Sequence, residues 1–172
     1  MPNKTTPPKT NAEVIAAIQK YSHAKVEHDG AEFTVVAVDR SCGELSLYTL
    51  LHARVKEHAE HCTILLHPLS SITDEHAIWV YELIIGKPIG GDRYNVTKNK
   101  TEINIESIYN VDHDDKTNVF IPYSMDIYYT EDGSVNEVNG ERMLEIIDYL
   151  RSKCYDLDGY IESGIAKPIT SN

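Results

Sequence analysis

Four histidines within sixteen residues form the part of this sequence best suited to chemistry. They are His52, His58, His61 and His67, and Cys62 adjoins the third. Metal ligands must converge at about 2.0 to 2.3 Å, which on a helix requires a spacing of three or four residues. His58 and His61 have this spacing, so they are the candidate ligands of a metal-dependent hydrolase. No pattern specifies a third ligand, and the H-E-x-x-H motif of metalloproteases is missing. We therefore favour a structural or surface role and predict no metal or other cofactor.

Other motifs that could support catalysis are incomplete. Asp112 and Asp114 have the spacing that opens a calcium-binding loop, but Lys116 stands where a third oxygen ligand is required. The glycines near residue 90 are not followed by the G-K-S/T of a phosphate-binding loop. Ser124 lacks the flanking glycines of a nucleophile elbow. The sequence therefore leaves catalytic residues unknown and favours a protein that is not an enzyme.

The charge balance bears on the kind of partner. The 172 residues include 16 Lys and Arg against 27 Asp and Glu, which gives a formal net charge of -11. Phosphate backbones repel a chain this acidic unless a local basic patch overrides the sum. Arg93, Lys98 and Lys100 come closest to such a patch, but they are few. We expect no binding to duplex nucleic acid.

Tyrosine is the abundant aromatic residue, with 11 Tyr against two Phe and one Trp. Tyr128 and Tyr129 are adjacent, so in a strand their rings point to opposite faces and one of them lies exposed or at a rim. Exposed Tyr favours interfaces because it offers contact area and a hydroxyl group. Tyr128 is therefore a candidate interaction residue, and a stabilising cross-strand pair is the alternative.

Periodicity predicts an α+β fold, with a small mixed or antiparallel sheet of about five strands and three to four helices. The predicted strands cover residues 32–39, 45–51, 62–67, 103–109, 118–123 and 126–129. The predicted helices cover residues 10–23, 74–85 and 141–153, with a helical turn at 55–61 and a short helix near the C-terminus. Thr10 and Glu13 form a capping-box pattern that starts the first helix.

Composition predicts a disordered tail over residues 1–10, a single domain over 11–172 and a flexible loop over 86–100. The second helix is apolar almost all round, so Ile78, Trp79 and Leu83 are expected in the core. Thr73 is its predicted cap and Gly86 its predicted stop.

The C-terminal segment carries a stripe of apolar side chains. The stripe comprises Leu150, Leu157, Tyr160, Ile161 and Ile165, while Asp148, Asp156, Asp158 and Glu162 are expected to face outward. Asp156 is predicted to cap a short helix and Gly164 to end it in a left-handed turn. Such a short helix needs a surface to dock on. It either packs on its own domain, which we favour, or presents Tyr160 and Ile161 to a partner as interaction residues.

Cysteine usage and the N-terminus bear on location. Cys42, Cys62 and Cys154 are far apart and odd in number, which suits reduced thiols better than disulfides. The first ten residues, MPNKTTPPKT, contain no apolar segment for secretion or membrane insertion. We expect a cytoplasmic protein with no membrane partner.

Three phrases resemble a known group of proteins. LLHPLSSITDE includes Pro68–Thr73, VFIPY follows further along, and the chain closes with Tyr155–Ala166, YDLDGYIESGIA. They are similar to a PLSDLT phrase and a C-terminal D-x-x-G-L-I-x-x-G-L-A phrase in small uncharacterised proteins of Bacteroides-type bacteriophages and prophages. The resemblance implies a phage or mobile-element origin and a bacterial host cytoplasm, and it transfers no activity. The expected function is an acidic interaction protein that binds a host or phage protein; the alternative is the hydrolase with the histidine cluster.

Overall fold

The structure is a computed structural model that describes residues 10–21, 23–49, 54–86, 93–99, 102–108, 118–122, 127–131 and 134–169. The chain divides into two compact units, one formed by Met1–Pro68 with Arg151–Asn172 and the other by Leu69–Leu150. The single domain predicted over 11–172 stays a prediction. Apart from Thr10, the predicted tail lies outside the described residues.

The secondary structure alternates short strands with three α-helices in the described chain. The helices are α1 (Asn11–Ile18), α2 (Asp74–Ile85) and α3 (Gly140–Ser152), and two 3₁₀ turns cover Ala59–His61 and Leu69–Ser71. The strands are β1 (Lys25–His28), β2 (Ala31–Asp39), β3 (Glu44–Tyr48), β4 (Arg54–His58), β5 (Thr63–Pro68), β6 (Arg93–Lys98), β7 (Glu102–Ile108), β8 (Asn118–Pro122), β9 (Tyr128–Glu131), β10 (Ser134–Glu137), β11 (Tyr155–Asp156) and β12 (Ala166–Pro168). The predicted α+β class is confirmed, with two sheets.

The first unit is a seven-stranded mixed sheet with α1. Its order is β11-β5-β1-β2-β3-β4, and β12 also pairs with β5. The two C-terminal strands run parallel to β5, whereas β1 to β4 form antiparallel neighbours. Helix α1 starts at the predicted capping box, because Thr10 accepts from the Glu13 N–H while the Glu13 carboxylate accepts from Thr10 N–H. The core joins helix and sheet through Val14, Ala17, Ile18, Tyr21, Val26, Leu45, Leu47, Ile64 and Leu66.

The helical turn predicted at 55–61 is wrong for most of its length. Residues 54–58 form β4, which pairs with β3 so that Leu47 lies opposite Val55. Side chains along β4 alternate between exposed and half-buried, which is the period of a strand. Only Ala59–His61 turn helically, as a 3₁₀ turn. The spacing that suggested a helical turn comes from residues of two separate strands, β3 and β4.

The second unit is a five-stranded antiparallel meander with α2 and most of α3. Its strands follow chain order across the sheet, β10-β9-β8-β7-β6. The buried side chains Ile103, Ile105, Val119 and Ile121 come from the two central strands and are fully covered. Strand β6 corrects the loop predicted over 86–100, because residues 93–98 pair with β7 along their whole length. Residues 87–92 and 100 lie outside the described residues.

Helix α2 begins and ends where predicted but buries a different face. The Thr73 hydroxyl accepts from the His76 N–H at 3.2 Å, and Gly86 closes the helix in a left-handed conformation. The buried residues are Ala77, Val80, Tyr81 and Ile84. The core positions predicted at Ile78, Trp79 and Leu83 are wrong: Ile78 and Leu83 are half-buried and Trp79 is exposed. One helix face contacts the sheet, and an apolar residue on another face stays near solvent.

The predicted short C-terminal helix is also wrong. Residues 157–165 form a succession of turns between β11 and β12. The predicted cap and stop are nevertheless present: the Asp156 carboxylate accepts from the N–H groups of Tyr160 and Ile161, and Gly164 has a positive φ of 79°. Isolated turn bonds, such as that from the Ser163 N–H to the Gly159 carbonyl, replace a continuous helix, and Ala166–Pro168 then pair with β5.

Candidate functional site

The two candidate metal ligands lie side by side, but among the described residues no third ligand joins them. His58 ends β4 and His61 ends the following 3₁₀ turn, and their rings meet edge to face with centroids 6.1 Å apart. The predicted spacing of three residues assumed a helix that places both side chains on one face. The change from strand to 3₁₀ turn between the two residues removes that geometry.

The polar groups of this region instead contact one carboxylate, that of Glu57. Its Oε1 atom accepts from His61 Nδ1 at 2.8 Å and from the His58 N–H at 2.8 Å, and its Oε2 atom lies 3.3 Å from His28 Nε2. The hydrogen bond from His61 lowers the pKa of Glu57, and the same bond raises the pKa of His61. The arrangement is an imidazole–carboxylate cluster near the surface, which we call the Glu57 cluster.

This geometry does not support the hydrolase. Among the residues that the structure describes, no group of three His, Cys, Asp or Glu side chains could hold a metal ion. His52 lies outside those residues, and His67 is in β5 with its ring against Tyr155. Cys62 is buried, and burial raises the pKa of its thiol to about 11, so the thiolate needed for metal binding or nucleophilic attack is disfavoured.

Asp158 forms a second polar cluster that the sequence placed in solvent. Its carboxylate accepts from Lys20 Nζ at 2.7 Å, from Arg151 Nη2 at 3.3 Å and from the Tyr21 hydroxyl at 3.3 Å. Burial raises the pKa of Asp158, but the bond from Lys20 and the charge of Arg151 outweigh burial and lower it. The outward orientation predicted for Asp158 is wrong, because Lys20 and Tyr21 from a distant segment and Arg151 from the end of α3 all contact it. The cluster links the C-terminal turns to the segment that follows α1.

The candidate interaction residues Tyr160 and Ile161 lie against the core of the first unit, as does Ile165. The Tyr160 ring meets Tyr21 edge to face at 6.4 Å, and Lys20 Nζ lies 5.3 Å from the Tyr160 centroid. The favoured alternative, that the stripe packs on its own unit, is confirmed for these three residues. A role for Tyr160 and Ile161 toward a partner stays a prediction.

An exposed aromatic surface lies in the second unit. Trp79 on α2 stacks on Tyr149 of α3, with centroids 4.2 Å apart and ring planes 14° from parallel, and His76 meets the same Tyr149 edge to face at 5.9 Å. The Trp79 side chain is 44% exposed. Tyr149 and His76 are half-buried beside it, so Trp79 is the exposed member of a group of three rings in contact, and not an isolated apolar residue. We call Trp79, Tyr149 and His76 the aromatic patch.

The charges on the two helices of the patch are almost all negative. Helix α2 contains no Lys or Arg, and Glu75 and Glu82 lie four residues before and three after Trp79, which places them on its side of the helix. Up to Leu150, α3 contributes Glu141, Glu145 and Asp148 against Arg142. The Arg142 guanidinium donates to the Ile84 carbonyl at the C-terminal end of α2. The patch is therefore an aromatic surface flanked by carboxylates.

The sequence contained a signal for this patch that the periodicity argument passed over. Glu75, Trp79 and Glu82 share one stripe of α2, so Trp79 stands on the polar side of the helix. Tyr149 could not be paired with Trp79 from sequence, because their 70-residue separation is closed only by tertiary packing.

Tyr128, the remaining candidate interaction residue, is half-buried in β9 and lies opposite Glu137 of β10. Together with Ile127, Val138 and Met143 it lines a pocket of about 130 Å³.

Comparisons with other proteins do not assign the chain to a family. No protein-family model matches it, and searches of curated proteins and of solved structures found no match.

Within the described residues, no helix has the length and apolar character required to span a membrane.

Proposed function

We propose that this chain is a non-enzymatic acidic interaction protein, encoded by a phage or mobile element, whose second unit binds a basic host or phage protein. The observation that carries the proposal is the aromatic patch: an exposed Trp79 stacked on Tyr149 between helices rich in carboxylates. Trp and Tyr are the residues that most often dominate binding energy at protein interfaces. Carboxylates around them select a partner of opposite charge.

The distribution of charge along the chain supports the same partner. Residues 69–150 contain 16 Asp and Glu against six Lys and Arg, a formal charge of -10. The other residues contain 11 against 10, a formal charge of -1. The negative charge is thus concentrated in the unit that carries the aromatic patch. A field of one sign steers a basic partner toward that unit and raises its association rate.

The test compares three forms of the protein as bait. Wild type, Trp79→Ala and Val36→Ala are immobilised, and extract from infected host cells is passed over each. Val36 is the matched control, since it is 54% exposed but lies in the first unit. We expect one basic protein to be retained stoichiometrically by wild type and Val36→Ala, to be lost with Trp79→Ala, and to elute as salt rises. Equal retention by Trp79→Ala, or a partner without a basic surface, would contradict the proposal.

A competition experiment refines the class of partner. If the retained protein binds nucleic acid, duplex DNA added to the complex distinguishes two modes of binding. Displacement by DNA indicates that the carboxylates of the second unit imitate a phosphate backbone. Retention in the presence of DNA indicates that the patch binds a separate surface of the partner.

The hydrolase alternative has a direct test of its own. Protein purified without chelator or affinity tag is analysed for transition metals, and about one equivalent would revive the histidine cluster as a metal site. A value below about one tenth of an equivalent would remove it.

A further inference from the structure

The pocket beside Tyr128 is built from three elements of the second unit. Tyr128 and Glu137 are directly opposed across β9 and β10, so their side chains share one face of the sheet. The next pair, Ile127 and Val138, is joined by a backbone hydrogen bond of 3.2 Å, and both side chains are buried. All four residues line the pocket.

The last side of the pocket comes from the start of α3. Asn139 caps that helix, with its side-chain oxygen accepting from the Arg142 N–H at 3.0 Å, and this fixes the first turn that carries Met143. The pocket is therefore lined by the apolar residues Ile127, Val138 and Met143 together with Tyr128, and Glu137 is its one acidic residue.

Size and charge together restrict what this pocket could hold. Sites for metabolites or nucleotides have volumes of roughly 300 to 1,000 Å³, whereas this one is about 130 Å³, which suits a single side chain. An anionic group would meet Glu137 within a unit of formal charge -10. A lysine side chain fits both features, because its methylene stem buries against apolar surface while its ammonium remains near a carboxylate.

Lysine fits this pocket better than arginine does. One carboxylate can pair with either side chain, but the compact ammonium of lysine fits a pocket of about 130 Å³ better than the broad planar guanidinium of arginine. The Tyr128 ring adds a surface that attracts cations.

We propose that this pocket receives one lysine side chain of the basic partner, with Glu137 as the residue that selects its charge. The inference rests on the proposed function and adds the residue of the partner that is recognised. It gives Tyr128 a role at the interface, and it places a second contact in the same unit as the aromatic patch.

One residue in the pocket and one in the aromatic patch allow binding at each place to be measured separately. The chain has three methionines and one tryptophan. NMR spectra of ¹³C-methyl-labelled methionine and of the indole N–H therefore report on Met143 and Trp79 individually. Loss of one methyl signal in Met143→Leu assigns the Met143 signal. The pocket probe is n-butylammonium, which copies the lysine side chain, and n-butanol is its neutral counterpart.

We expect n-butylammonium to shift the Met143 methyl signal saturably and n-butanol to bind more weakly. Glu137→Gln should weaken the cation about two- to fivefold, the range that one partly exposed ion pair provides. Glu141→Gln, an exposed carboxylate of α3 that does not line the pocket, should leave the affinity unchanged. Both variants alter exposed side chains, and unchanged backbone spectra verify their folds.

Any of three results would overturn the inference: no shift of Met143, equal binding of butanol and butylammonium, or no effect of Glu137→Gln. Binding of the partner retained in the bait experiment distinguishes a failure of this inference from a failure of the proposed function. A partner that perturbs the Trp79 indole but not the Met143 methyl removes the lysine pocket and keeps the proposed interface. A lysine probe that binds at Met143 while no basic partner perturbs Trp79 removes the interface and keeps the pocket.

Discussion

At the scale of single residues, two carboxylates of the first unit each contact several donors. Glu57 joins the ends of β1 and β4 to a 3₁₀ turn through His28 and His61. Asp158 joins the C-terminal turns to the segment after α1 through Lys20 and to the end of α3 through Arg151. Each carboxylate contacts donors that lie far apart from one another in the sequence, so each holds separate segments of the chain together.

The Glu57 cluster predicts a stability that depends on pH. The raised pKa of His61 stabilises the fold fully below its ordinary value of 6.5, and this contribution is lost as pH rises through the folded-state value. The lowered pKa of Glu57 contributes above its ordinary 4.5 and is lost as pH falls below it. The difference in unfolding free energy between wild type and Glu57→Gln should therefore be largest between those two values.

Denaturant unfolding at pH 5.5 and pH 8.5 measures this difference, and Glu32→Gln is the matched control. Glu32 belongs to the same sheet but pairs with a lysine, Lys25, and not with a histidine. A Glu57→Gln difference that is equal at the two pH values would show that His61 and Glu57 are not coupled.

Removal of the Asp158 carboxylate should destabilise the first unit. Its side chain is only 17% exposed, and Arg151 Nε is buried without a hydrogen-bond partner, so Arg151 depends on Asp158 for compensation. We expect Asp158→Ala to cost about 1 to 3 kcal/mol, the usual range for losing hydrogen bonds to a charged group. Thermal and denaturant unfolding measure the loss. Glu162→Ala, in the same turns but exposed, should change stability by less than about 0.5 kcal/mol; equal losses would contradict a special role for Asp158.

At the scale of elements, the ends of α2 are set by neighbouring residues, whereas the face that it buries is set by packing. Its N-cap at Thr73 and its left-handed Gly86 are local features, and both stand where the sequence placed them. A Cβ at Gly86 would lie 3.0 Å from Arg142 Nη2, so glycine also leaves space for the guanidinium that meets the end of the helix. The face that α2 buries depends on the position of the sheet.

A pair of neighbouring substitutions tests which face of α2 is core. Ile84 is 2% exposed, so Ile84→Ala should cost about 2 to 5 kcal/mol through lost transfer energy and the cavity that remains. Leu83 has the same number of carbon atoms but is half-buried, so Leu83→Ala should cost clearly less. Unfolding free energies of the two variants decide, and a larger loss for Leu83→Ala would show that the buried face is misassigned.

At the scale of the whole molecule, charge is unevenly divided. The formal charge of -10 falls in residues 69–150, and the remaining residues are nearly neutral. In the first unit many exposed cations are paired, with Lys25 beside Glu32, Lys56 beside Glu44 and Lys167 beside Glu27. The second unit lacks enough cations for such pairing. Its self-repulsion disfavours the compact state and makes it attractive to cations.

Salt should therefore stabilise the second unit. Raising sodium chloride from about 10 mM to 0.15 M shortens the screening length from roughly 30 Å to 8 Å, so repulsion among its carboxylates falls and the melting temperature should rise. The double variant Glu145→Gln, Asp148→Asn should show a smaller rise. At high salt its stability should lie within about 0.5 kcal/mol of wild type for each exposed substitution. A melting temperature that falls with salt in wild type would contradict the argument.

The features that the sequence determined by itself are those set by a few neighbouring residues. The capping box at Thr10, the cap at Thr73 and the left-handed glycines at 86 and 164 appear where expected. Each depends on backbone geometry or a hydrogen bond within a few residues, so no knowledge of distant segments is needed. The α+β class follows in the same way, since strand and helix periods are local properties.

Only the tertiary structure decided which side chains meet. Residues 55–58 of the predicted helical turn lie in β4 because pairing with β3 satisfies their backbone. Asp158 points inward because Lys20, 138 residues away in sequence, approaches it together with Arg151. Trp79 became a surface residue because the sheet covers another face of α2. The aromatic patch has the same origin, because Trp79 and Tyr149 lie 70 residues apart and only long-range packing brings their rings together. The pocket beside Tyr128 is more local, since its residues lie within 127–143, across β9, β10 and the first turn of α3.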